Sequence, residues 1–283
     1  MQLDGRRESQ NVDDRRGRGP GKATLGIGGT IIVGLIIWFM GGNPLDFFTQ
    51  EAMQGISTQG TYTPTPEEEQ QAVFAKKILA GTEDVWTEIF KQNGMTYQPP
   101  RMVLFSGAVQ SGCGTASSQT GPFYCSADQS LYIDLSFFKE MEGRLGAGGD
   151  FAYAYVIAHE VGHHVQYLLG TLDQIHSQQQ RLNTKESNQL NVRLELQADF
   201  YAGVWAYHDN VIFNSIEDGD IAEGLNAASQ IGDDRLQMQS QGYTVPDAFN
   251  HGTSAQRSRW LKKGLQTGNI KDGDTFSIPY SSL

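Results

Sequence analysis

Cysteine is nearly absent from this chain: 283 residues hold only Cys113 and Cys125. The two thiols flank a short loop, GTASSQTGPFY. In an oxidising compartment such a pair reads as a structural disulfide rather than a metal site, and its loop-closure entropy is worth roughly 3 kcal/mol at most. Basic charge is also scarce, with 21 Lys and Arg against 32 Asp and Glu, a net charge of −11. Residues 1–22 hold six basic and four acidic groups, a net of +2, which leaves 15 basic and 28 acidic groups beyond them, a net of −13. An acidic body of this kind excludes a nucleic-acid partner, because phosphate binding needs a basic face. No internal repeat period is present. Charged residues make up only 19% and hydrophobic ones 39%, which excludes wholesale disorder and leaves material for a sizeable core.

Long apolar runs are equally few. The one charge-free run of membrane length is residues 23–42, ATLGIGGTIIVGLIIWFMGG. About 20 apolar residues span a bilayer as a helix, and glycines are tolerated in such spans. With the basic residues all upstream, the positive-inside rule predicts a signal anchor with a disordered cytoplasmic tail at 1–22. A linker at 43–66 and an extracytoplasmic domain at 67–283 follow, an arrangement expected of a single-pass protein of a bacterial inner membrane. A cleaved signal peptide fits less well, since Met40-Gly41-Gly42-Asn43 is a poor cleavage site.

Within the domain, Thr65 or Pro66 opens a helix, Gly81-Thr82 breaks it, and a second helix covers 83–93. Residues 101–106 and 130–138 read as strands. Asp150 is a plausible N-cap for an apolar helix over 151–169 that Gly170 can end, and a second apolar helix begins near Asn191. Helix-like stretches at 218–231 and 233–241 and a capped helix after Thr253 or Ser254 complete an α+β, mostly helical fold with a small sheet.

The chemistry concentrates in Ala158-His159-Glu160-Val161-Gly162-His163-His164. Positions four apart share a helix face, so His159 and His163 can hold one ion together, and Glu160 stands where a zincin carries the carboxylate that works on water. A hydrolytic zinc needs three protein ligands and one open position. Glu195 and Asp199, also four apart, share a face with Ala198, Ala202 and Gly203, small residues expected to let their helix pack close to the motif helix. Glu195 is the expected third ligand. Asp199 is expected to accept a hydrogen bond from a ligand histidine and fix its tautomer. His164 points off the ligand face, and His176 and His208 read as surface or cap residues. His251 has two readings, a donor to a tetrahedral oxyanion or a helix-entry residue tied to Thr253 or Arg257.

Five motifs in order, GPFYC (121–125), YIDLSFF (132–138), AHEVGHHVQ (158–166), ELQADFYAGVW (195–205) and HGTSAQR (251–257), resemble the bacterial neutral zinc metallopeptidases, single-span proteins related to the gluzincins. The resemblance implies a zincin-like fold, one Zn2+ per chain on His159, His163 and Glu195, and Glu160 as catalytic carboxylate. The expected activity is hydrolysis of peptide bonds in envelope proteins or peptides, with a regulatory envelope protein as a possible partner. Two other functions compete: an inactive zinc-binding scaffold, and a zinc amidase acting on cell-wall peptides. Glu160 favours an enzyme, since a scaffold has no chemical need for it.

Overall fold

A computed structural model describes residues 1–18 and 62–283. A four-stranded sheet has the order β1 (Val12–Asp14), β2 (Arg101–Phe105), β6 (Ser130–Asp134), β5 (Phe123–Cys125). The first three strands run parallel and β5 runs antiparallel to β6. A separate hairpin, β3 (Ala108–Ser111) with β4 (Gly114–Ser117), is tied to β5 by the Cys113–Cys125 disulfide. Eight α-helices are described: α1 (Pro66–Gln92), α2 (Ser136–Gly143), α3 (Asp150–Leu168), α4 (Thr171–Gln179), α5 (Thr184–Phe213), α6 (Asp220–Gln230), α7 (Asp233–Gln241) and α8 (Ser254–Thr267). The expected mostly helical α+β domain with a small sheet is the observed one.

Local chemistry explains most boundaries. Thr65 and Glu68 form a reciprocal capping box at the start of α1, and Thr253 with Gln256 does the same for α8. Gly81 does not break α1, which runs on to Gln92. It sits where a Cβ would lie 2.7 Å from both the Arg6 guanidinium and the Asp209 carboxylate, so its role is close packing. The strand expected over 130–138 stops at Asp134. That carboxylate accepts from the Ser136 and Gly107 N–H groups and the Ser118 hydroxyl, and α2 begins at once. Gly149, not Asp150, is the N-cap of α3, while Gly170 follows its end with φ +76° as the sequence predicts. Helix α5 starts at Thr184, earlier than expected, under an Asn183 cap.

Helix α3 is buried on almost every side, and α5 crosses it where Gly162 meets Ala198. A Cβ on Gly162 would lie 2.9 Å from the Ala198 carbonyl oxygen, so the missing side chain sets the approach of the two helices. Gly203 serves a different contact: a Cβ there would overlap the Leu261 carbonyl of α8, and one on Gly264 would overlap the Phe200 carbonyl. Because backbone cannot yield as a side chain can, Gly264→Ala is expected to cost about 3 kcal/mol, and chemical denaturation checks it. A loss under about 0.5 kcal/mol would mean α5 and α8 are not held this close.

The membrane topology needs correction. The expected span, residues 23–42, falls within 19–61, outside the described residues. Among the described residues no helix is long and apolar enough to cross a membrane. More decisively, residues 1–18 are not a disordered tail, because they pack on the domain. Strand β1 pairs with β2, Arg6 Nη2 donates to Asp209 Oδ1 at 2.8 Å, and the buried Arg16 pairs with Asp14 and Glu69. One span between residues 18 and 62 would put these partners on opposite sides of a bilayer. The single-pass arrangement, with its cytoplasmic tail and extracytoplasmic domain, conflicts with that packing.

Candidate metal centre

Three helices build the site. His159, Glu160 and His163 come from α3, Glu195 and Asp199 from α5, and Arg257 from the first turn of α8. One ligand atom each from His159, His163 and Glu195 lie within 4.8 Å of one another. Glu195 Oε2 is 3.2 Å from His159 Nε2, and Oε1 is 3.5 Å from His163 Nε2. Ligands about 2.1 Å from a tetrahedral zinc stand about 3.4 Å apart, so the spacing suits such an ion.

Each ring is oriented from behind. His159 Nδ1 donates to Asp199 Oδ1 at 2.8 Å, the hydrogen bond expected from the sequence, which leaves Nε2 facing Glu195. Asp199 is fully buried and holds more than the histidine. It accepts Arg257 Nε on Oδ2 and Arg257 Nη2 on Oδ1, both at 2.9 Å, and the Tyr155 hydroxyl on Oδ1 at 2.6 Å. Sequence reasoning passed over Tyr155, although it lies four residues before His159 on the same helix face. Arg257 lay inside a matching motif, but nothing in the sequence linked it to Asp199.

The electrostatics call for a cation. Burial opposes charge throughout, yet the Arg257 guanidinium and His159 hold Asp199 below its usual range, and the histidines hold Glu195 far below. Burial would lower His159 too, but Asp199 and Glu195 outweigh it and push its pKa up to about 10. Burial raises Glu160. With neutral histidines, as metal ligation requires, the buried carboxylates Glu195 and Asp199 face Arg257 as their fixed cation. The negative charge left over, beside a Glu160 whose protonated form burial favours, suits a bound cation.

His251 stands beside this cluster on the loop before α8. Its Nδ1 is 3.1 Å from Asp233 Oδ1, and Asp233 Oδ2 accepts the backbone N–H groups of Asn250, His251 and Gly252. Thus Asp233 is a helix-entry partner of His251, and no local pattern marked that carboxylate. Burial lowers the His251 pKa, but Asp233 and Glu195 raise it further, so the ring lies within electrostatic reach of Glu195. His164 points away, as expected. Its Nε2 donates to the Gln98 carbonyl at 2.6 Å and its Nδ1 accepts from the Tyr124 hydroxyl at 2.8 Å. Burial pushes it down to about 4, which keeps it neutral. His208 donates to the Gly268 carbonyl at the end of α8.

A buried His-Glu-x-x-His helix facing a carboxylate helix is a candidate metal centre, and the comparison with known families points to zinc. The family described as "Putative neutral zinc metallopeptidase" matches residues 1–276, and the chain belongs to it. Among its relatives is "Uncharacterized protein YpfJ" of Escherichia coli (strain K12), 47% identical over 285 residues, 98% of this chain and 99% of that one. "Uncharacterized protein Rv2575" of Mycobacterium tuberculosis (strain ATCC 25618 / H37Rv) is 47% identical over 191 residues, 64% of each chain. No solved structure matches the chain.

Proposed function

We propose that the protein is a zinc-dependent peptidase that hydrolyses peptide bonds in proteins or peptides, with His159, His163 and Glu195 as the metal ligands. The observation that carries this reading is the convergence of those three donors beside a buried carboxylate, Glu160, that is not one of them. Zinc bound there supplies a Lewis acid and lowers the pKa of water toward about 7. Glu160 then accepts the proton of the attacking water and delivers it to the leaving amine nitrogen. His251, oriented by Asp233 through Nδ1, donates from Nε2 to the oxyanion that develops on the carbonyl oxygen. Asp199, shared between His159 and Arg257, keeps the His159 ring in the tautomer that ligation needs.

The test is cleavage of an unfolded protein such as casein by the zinc-loaded full chain, with Glu160→Gln as the control. Cleavage by the wild type alone supports the reading. A wild type that holds zinc yet cleaves neither proteins nor peptides points instead to a zinc-binding scaffold. His251→Ala is expected to lower turnover by about 10²–10³-fold with zinc retained, the usual cost of one oxyanion donor. An unchanged rate would remove His251 from the mechanism.

A further inference from the structure

The two ligand histidines are backed differently, and the second has a partner that the proposed mechanism leaves unused. His163 Nδ1 lies 2.9 Å from Gln166 Oε1, and Gln166 is completely buried. Its amide orientation is fixed by its other side, where Nε2 donates to the Leu194 carbonyl at 2.7 Å and to Gln197 Oε1 at 3.1 Å. A carbonyl can only accept, so Nε2 must face Leu194 and Oε1 must face the ring. The proton of His163 therefore sits on Nδ1, and the Nε2 lone pair turns toward Glu195. Leu194 immediately precedes Glu195, so one amide joins the His163 ring to the backbone that carries the third ligand. Gln197 extends the chain of bonds outward, its Nε2 donating to the Gly273 carbonyl at 2.9 Å.

We propose that Gln166 is a positioning residue that sets the tautomer and rotamer of His163 and couples it to Glu195, latched by Gln197 onto the turn at Ile270–Gly273. This inference rests on the ligand assignment above. The consequence is an asymmetric centre. His159 is backed by an anion already shared with Arg257, whereas His163 is backed by a neutral amide that orients the ring and leaves the net charge unchanged.

The experiment measures zinc affinity of the full chain by competition with a chromophoric chelator, alongside thermal unfolding without added zinc. Gln166→Met keeps the volume and removes both functions of the amide, and it is expected to weaken zinc binding by about 10–100-fold, the usual cost of losing such a partner. Gln166→Glu keeps an acceptor for Nδ1–H but turns an anion toward the Leu194 carbonyl and Gln197 Oε1. It is expected to hold zinc more tightly than Gln166→Met but less tightly than the wild type, because the link to Leu194 and Gln197 is lost, while unfolding at least as early as Gln166→Met. A purely structural glutamine would rank the variants identically in stability and affinity, and that result overturns the proposal. So does wild-type affinity in Gln166→Met when His163→Ala has lost zinc. Undiminished binding in His163→Ala would instead overturn the ligand assignment itself. Should Gln166→Met not fold, Gln197→Leu removes the latch one step away: weakened zinc binding supports the relay, and unchanged affinity refutes it.

Discussion

Replacing Glu160 with Gln is expected to cut peptide hydrolysis by about 10³-fold while leaving zinc in place, within the range that a general acid–base group contributes. The side chain is buried on α3, and the three clustered donor atoms belong to His159, His163 and Glu195. An amide of the same size preserves packing but cannot take a proton from water or return one to the leaving amine. The three donors, His159, His163 and Glu195, are untouched by the change. Zinc content and turnover are therefore expected to separate. Full activity in Glu160→Gln would show that another group moves the proton, and loss of zinc would show that Glu160 belongs to the ligand set.

The second large effect is structural. Arg6→Ala is expected to destabilise the protein by about 3–5 kcal/mol, because removing one partner of a buried ion pair leaves the other charge uncompensated. Asp209 is 1% exposed and Arg6 about a tenth exposed. Arg6 Nη1 and Nη2 donate to Asp209 at 3.3 and 2.8 Å, and the guanidinium lies 3.6 Å from the Phe213 ring centroid. Ser215 also donates to Asp209, so some hydrogen bonding survives the change, but among the described residues no other cation pairs with Asp209. Denaturant unfolding of Arg6→Ala beside Arg18→Ala gives the comparison. Equal stability in both variants would mean that residues 1–18 do not pack as described.

How far the sequence foretold this molecule depends on the range over which its residues interact. The i, i+4 spacing of His159 and His163 and of Glu195 and Asp199 is a local property of a helix, and all four side chains meet as that spacing requires. The Asp199 hydrogen bond to His159 was legible for the same reason. The disulfide was legible too, because its two cysteines are the only ones and close a short loop. What failed was long-range. Arg6 and Arg16 looked like a solvated basic tail because Asp209 and Glu69 lie far away in the chain. Gly81 looked like a breaker because the groups it makes room for, Arg6 and Asp209, are equally remote. Gly203 was correctly seen as a close-packing residue but assigned to the wrong neighbour, since a small residue does not reveal which helix it admits. Asp233 gave no signal at all, because a carboxylate in the first turn of a polar helix is ordinary until the loop carrying His251 folds over it.

The most direct test of the metal centre is zinc per chain, measured on the purified full chain and on His159→Ala, His163→Ala and Glu195→Ala. The full chain is required because residues 1–18 form part of the fold. The account predicts about one zinc per wild-type chain and a sharp loss in each variant, as expected when a three-ligand site loses one donor. Near-zero zinc in the wild type after zinc has been offered, or full occupancy in any of the three variants, would contradict it.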